Sequence, residues 1–169
     1  MMRAMWIVRH AFAIVILPVT MTILVPWWVI RGNAFQMPVL ALDWLFVVAG
    51  MIVFAAGFVL FVATVFLFAT RGRGTLAPWD PPSRLVIAGP YRYVRNPMIA
   101  GVILIIIAES LIFRSLSLAE WAAAFFVINA IYFPLIEEPG LERRFGEEYR
   151  RYKRHVRRFI PRIRPWNGE

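Results

Sequence analysis

Three clusters in the chain carry residue types and spacings that could do chemistry. The first is Leu85-Val86-Ile87-Ala88-Gly89-Pro90-Tyr91-Arg92-Tyr93-Val94-Arg95-Asn96-Pro97-Met98. Gly89-Pro90 forces a turn, and Asn96-Pro97 opens a helix with proline where its missing N–H costs little. A helix N-terminus offers unpaired N–H groups to an anion or polar ligand, and two tyrosines and two arginines converge on it. The same residues also suit an aromatic and basic anchor at a membrane interface. The second cluster is Glu137-Glu138, at the end of an apolar run. Carboxylates there oppose the helix dipole and need a compensating partner, which Arg92 or Arg95 can supply. The alternative is a carboxylate aimed at a ligand hydroxyl, amine or cation. The third cluster, Arg71-Gly72-Arg73-Gly74-Thr75-Leu76-Ala77-Pro78, is a basic loop. Its Gly-x-Gly-x-x-Ala spacing lacks the strand before it and the helix after it that dinucleotide binding requires.

Other chemistry is excluded. The chain has no cysteine, so disulfides, thiolate metal sites and cysteine nucleophiles are ruled out. With only His10 and His155 as imidazoles, no metal site is expected. Glu109 and Asn129 fall inside apolar runs. Glu109 is a functional candidate because ionisable groups in such runs are expensive. Asn129 reads as an interhelical hydrogen bond.

The elements that position these residues are membrane helices. Of 169 residues 60% are hydrophobic and 17% charged, against about 45–50% and about 25% in a soluble domain. The apolar residues fall in four runs, Trp6–Ile30, Leu45–Thr70, Met98–Phe113 and Leu118–Ile136. Pro18 and Pro26 interrupt the first, which is too long and lacks the cleavage site of a signal peptide. The short Arg114–Ser117 connection makes the last two an antiparallel hairpin. We therefore expect one all-α integral membrane domain over residues 1–169, with about four transmembrane helices. Seventeen of the 19 Lys and Arg residues lie before or at the opening of the first run, between the second and third, or in the tail; Arg31 and Arg114 lie opposite. By the positive-inside rule both termini and the Arg71–Asn96 loop face the cytoplasm. This also accounts for the net charge of +9 without nucleic acid. Leu141, Phe145, Tyr149, Tyr152, Val156, Phe159 and Ile163 recur at helical spacing, which predicts a C-terminal amphipathic cytoplasmic helix, open to interruption at Pro161, lying on the anionic leaflet or covering a site.

The ordered combination of Gly89–Met98, a short apolar hairpin, Glu137-Glu138 and Phe145-Gly146-Glu147-Glu148-Tyr149 with Tyr152 resembles one superfamily. It is that of the membrane methyltransferases, which includes isoprenylcysteine carboxyl methyltransferase and phosphatidylethanolamine N-methyltransferase. The resemblance covers residues 85–163. It implies an enzyme that uses S-adenosylmethionine, held on the cytoplasmic side between the loop, the hairpin and the C-terminal segment. Carried over by position, Leu85, Val86 and Tyr91 line the cofactor pocket, and Asn96, Pro97, Met98 and Ile99 touch the cofactor. Arg95 matches the arginine before that segment, Glu137 the cofactor-contacting glutamate, and Glu138 completes the acidic pair. Glu137 and Arg95 are the residues expected to act in catalysis.

The resemblance also implies the acceptor class. Prenylcysteine enzymes have histidine where Asn96 stands, tyrosine where Ile99 stands, and a substrate-binding arginine where Phe133 stands. Asn-Pro-Met is closer to the phospholipid branch. The acceptor expected first is a phospholipid amine, and a prenylcysteine-like carboxylate second. The location implied is a bacterial or archaeal cytoplasmic membrane, with membrane lipids as partners. Methyl transfer suits a chain without metal or thiol, because the cofactor carries the reactive methyl. Two alternatives stay open: an NADPH-dependent membrane reductase of related architecture, and a non-enzymatic transporter or scaffold.

Overall fold

The computed structural model describes residues 15–32, 38–72 and 83–168. Arg3, Arg9, the opening of the first run at 6–14 and the loop segment 73–82, with Gly74, Ala77 and Pro78, lie outside the described residues. The described residues are all helix, turn and irregular chain, with no strand.

Helix α1 combines wide turns over Val15–Leu24 with a regular α-helix over Val25–Ile30. Pro18 has no N–H for the preceding turn, which favours the widening, and Thr22 Oγ1 donates to Pro18 O at 2.8 Å. Helix α2, Ala41–Leu67, runs on through Phe68–Gly72. Asp43 fixes its start by accepting from the Val39 and Leu40 amides, both at 3.0 Å. Helix α3 is Pro97–Ile112, with proline in its first turn. Helix α4 is Leu116–Tyr132, where Ser115 accepts from the Leu118 amide at 3.4 Å. It continues through a widened turn, Phe133–Glu137, into helix α5, Glu138–His155. Pro134 cannot donate to Ala130, which accounts for the widening.

Two stretches, Ala41–Gly72 and Leu116–His155, are long and apolar enough to cross a membrane. The apolar helices Pro18–Ile30 and Pro97–Ile112 are shorter. At about 1.5 Å per residue α3 is roughly 24 Å long, less than the hydrocarbon thickness of about 30 Å.

The central helix is α3, which packs against α2, α4 and the wide turns of α1. It runs antiparallel to α2, and the two backbones nearly touch. A Cβ on Gly57 would lie 3.0 Å from Gly101 O and 2.9 Å from Leu104 Cβ; one on Gly50 would lie 2.7 Å from Ile112 Cγ1. Small residues permit that approach between apolar helices. Gly50, Gly57 and Thr64, seven residues apart, form the buried stripe of α2. Val102, Ile106, Ala122 and Phe125 make the core, with Met21, Phe61 and Trp121 against it. At the far end Arg114 Nη1 pairs with Asp43 Oδ1 at 2.6 Å.

The C-terminal region departs from the expected helix. Helix α5 is kinked at Gly146, whose φ of 55° suits glycine, and it stops at His155 rather than continuing toward Ile163. Tyr149, Tyr152, Val156 and Trp166 are buried together, packed against Leu85, Ile87, Leu141 and Phe145. Much of the periodic apolar pattern is therefore used inside the protein, against the loop before α3.

Candidate functional site

The loop and α5 meet over the open end of the helices. Tyr152 Oη donates to Tyr91 O at 2.6 Å, and the Phe68 and Tyr91 rings lie 5.7 Å apart. Between loop, helices and α5 lies a cavity of about 480 Å³, within the about 300–1,000 Å³ common for small-molecule sites. Leu85, Val86, Tyr91, Arg95, Asn96, Met98, Ile99 and Glu137 all line it. Pro97 and Glu138 do not. Pro97 is buried in the first turn of α3.

The acidic pair divides. Successive residues on a helix point about 100° apart, and the widened turn at Pro134 sets which of the two faces inward. Glu137 faces the cavity. It lies just beyond the apolar stretch ending at Ile136; burial pushes its carboxyl up, and the Arg144 charge partly opposes that. Glu138 turns away and is 2% exposed. Its carboxylate meets Arg158 Nε at 2.6 Å, Arg95 Nη1 at 3.0 Å and Lys153 Nζ at 3.1 Å. Burial alone would raise the Glu138 carboxyl, but the Arg158 hydrogen bond, the Arg95 charge and the Lys153 hydrogen bond outweigh it and hold it below its ordinary value.

Arg95 links this hub to the cavity. Its side chain is 8% exposed, and Nη1 also donates to Tyr149 Oη at 3.4 Å. Burial, with the Glu138 charge adding, pushes the Tyr149 phenol up to about 12. The expected pairing across the acidic motif therefore falls to Arg95. Arg92 instead donates to Trp166 O at 2.9 Å and to Asn167 Oδ1.

Arg95 Nε and Asn96 Nδ2 are buried donors without a hydrogen-bond partner among the described residues. Both belong to cavity-lining residues. A buried polar group left unpaired is costly, and such donors suit a ligand rich in acceptors. Met98, Ile99, Val102, Phe125 and Phe133 give the cavity much of its apolar lining.

Arg84, Phe145 and Tyr149 also line the cavity, Arg84 standing out in the sequence only as a phosphate ligand for a reductase and the other two only as part of the motif; Gly140 and Arg144 line it too, although the sequence did not mark them out. Gly140, Arg144 and Phe145 follow Glu137 at the three- and four-residue steps that keep one helix face, which was the available signal. Asn129 lines the cavity too, but its Nδ2 bonds Phe125 O of its own helix at 2.8 Å, not a neighbouring helix. Glu109 lies in α3 outside the cavity lining, with Oε2 buried and without a partner among the described residues. No metal-ligand cluster occurs among the described residues.

A family model described as phospholipid methyltransferase matches residues 45–148, more than half of the chain. The matched region begins in α2 and includes the loop motif, α3, α4 and the acidic pair. No curated protein matches the chain, and no solved structure does.

Proposed function

Because the chain belongs to the phospholipid methyltransferase family, we propose that this membrane methyltransferase moves a methyl group from S-adenosylmethionine to an amine on a membrane lipid. The observation that carries the reading is the cavity in which the 85–99 motif and Glu137 face one another. The cofactor, when bound, supplies a methyl made electrophilic by its sulfonium.

The cavity residues fit such a group. Arg95 Nε and Asn96 Nδ2, without partners among the described residues, suit its carboxylate and hydroxyl oxygens. The inward carboxylate of Glu137 suits its ammonium. Tyr91, Leu85 and Val86 wall the chamber from the loop side.

The chain's own contribution is positioning and dryness. Fixing reactants in line converts a bimolecular step into a near-unimolecular one. Arg95 is fixed by Glu138, and Tyr91 by Tyr152. The apolar side, with Met98, Ile99, Phe125 and Phe133, accommodates a hydrophobic acceptor and excludes water. With Glu137 engaged by the cofactor's ammonium, its role is to position the methyl, and the acceptor amine attacks in its neutral form. Phe133 offers no charge to a carboxylate, which favours an amine over a prenylcysteine-like acceptor. We further propose four spans, with α1 and α3 completed by their neighbours, and both termini and the cavity cytoplasmic.

The test is transfer of labelled methyl from S-adenosylmethionine to lipid in nanodiscs. Label in a phosphatidylethanolamine product, absent with phosphatidylcholine alone, is the expected result. Label on neither, in a sample that binds the cofactor, would refute the lipid-amine acceptor.

A further inference from the structure

We propose that the segment after α5, residues 157–164, is an interfacial anchor that seats on the anionic phosphates of a lipid leaflet. It requires that α2 and α4 lie in a membrane, and it does not depend on the methyl-transfer reading.

The segment is irregular, and its backbone is tied to the loop before α3. The Arg95 amide donates to Arg157 O, the Arg162 amide to Tyr93 O and the Trp166 amide to Arg92 O, each at 2.9 Å. The Arg162 guanidinium donates to His155 O at 2.6 Å. Held this way, the segment packs Phe159 against the protein and leaves its two isoleucines outside. Ile160 is 62% exposed and Ile163 98% exposed.

Its position points to the occupant. The Phe159 ring packs on Phe126 at 5.2 Å between centroids. Phe126 is on α4 in the uncharged stretch between Glu120 and Glu137, where Val127 and Ile131 are also exposed. The apolar edge of the segment thus continues the outward face of a helix apolar enough to span a membrane.

Arginines 157, 158, 162 and 164 alternate with these apolar residues, and 157–164 contains no acid. Arg158 is engaged by Glu138, whereas Arg157 and Arg164 are exposed. Cations flanking exposed isoleucines match a phosphate-bearing surface over a hydrocarbon layer. A second copy would oppose like charges, so lipid is the better partner. At Phe159 the segment reaches below the headgroups along α4, its backbone protected there by the bonds to Arg95 and Tyr93, while Arg157 and Arg164 extend to the phosphates.

Because the chain has no cysteine, single cysteines can be labelled uniquely. We would attach an environment-sensitive fluorophore at Ile160→Cys, Ile163→Cys and, as control, Glu148→Cys on exposed α5. Quenching by headgroup-region nitroxide lipids is then read in phosphatidylcholine nanodiscs with and without phosphatidylglycerol. The expected result is quenching several-fold stronger at Ile160 and Ile163 than at Glu148. It should weaken in phosphatidylglycerol discs when Arg157 and Arg164 are changed to Gln. Quenching no stronger than at Glu148 would overturn the proposal. So would excimer formation between pyrene-labelled Ile163→Cys copies, which would identify a second copy as the occupant. Quenching indifferent to both arginines would overturn the anionic partner.

Discussion

Replacing Glu138 with Gln removes the one negative charge on which three cations converge, and exposure decides what that costs. The Lys153 and Arg158 side chains are 39% and 25% exposed and can return to water. Arg95, at 8%, cannot. The substitution thus breaks one buried pair. Removing a single partner from such a pair costs about 3–5 kcal/mol, mostly because the other charge stays buried. The Gln carbonyl keeps one acceptor for Arg95, which places the cost near the lower end, about 3 kcal/mol. For a chain of this length that is a fall of roughly 6–12 °C in unfolding midpoint. The assay is thermal unfolding in one detergent, followed by tryptophan fluorescence, with Glu147→Gln alongside. Glu147 also holds two arginines, at 2.9 and 2.7 Å, but it is exposed, and its loss should barely move the midpoint. Equal, small shifts for the two variants would refute the argument that the buried hub holds this end of the protein together.

The same hub sets a pH dependence. Because the fold holds the Glu138 carboxyl below its ordinary value of 4.5, its stabilisation is complete above that value. It is lost as pH falls through the lower folded value, so wild-type stability should drop in that acid range, and Glu138→Gln should lack this drop. Gly57→Ala should lower the midpoint through overpacking worth about 1–3 kcal/mol, since its Cβ would meet the α3 backbone at 3.0 Å. Gly32→Ala, with nothing among the described residues within 4 Å, should cost nothing by that route. Tyr152→Phe should cost about 1–3 kcal/mol by leaving Tyr91 O without its buried donor. Unfolding midpoints measured alongside wild type check all three.

The parts most legible in the sequence were contiguous and chemically marked. Residues 85–99 read as one motif because Gly-Pro and Asn-Pro punctuate it, and all but Pro97 among the residues expected to contact the cofactor there line the cavity. The acidic pair was legible as a pair but not as two roles. Which carboxylate faces inward depends on a widened turn at Pro134 that adjacency alone does not reveal. The Gly50, Gly57 and Thr64 stripe was present at seven-residue spacing but lay within a long charge-free run, where hydropathy distinguishes no face. The tail pattern suggested a helix toward Ile163. It ends earlier because Tyr93 and Arg95, some sixty residues away in sequence, take over the backbone hydrogen bonds after His155. Asn129 looked like a cross-helix contact, yet the Phe125 carbonyl one turn back was within reach.

The central claim is that the cavity holds S-adenosylmethionine with Glu137 among its contacts. Calorimetric titration of the cofactor into the full chain in lipid nanodiscs, with Glu137→Gln in parallel, tests it most directly. The account predicts saturable binding to the wild type, and binding weakened at least tenfold in a variant whose unfolding midpoint is unchanged, about 1.4 kcal/mol or more for a lost charged contact. A folded wild type that binds no S-adenosylmethionine, or a Glu137→Gln variant that binds it as tightly, would contradict it.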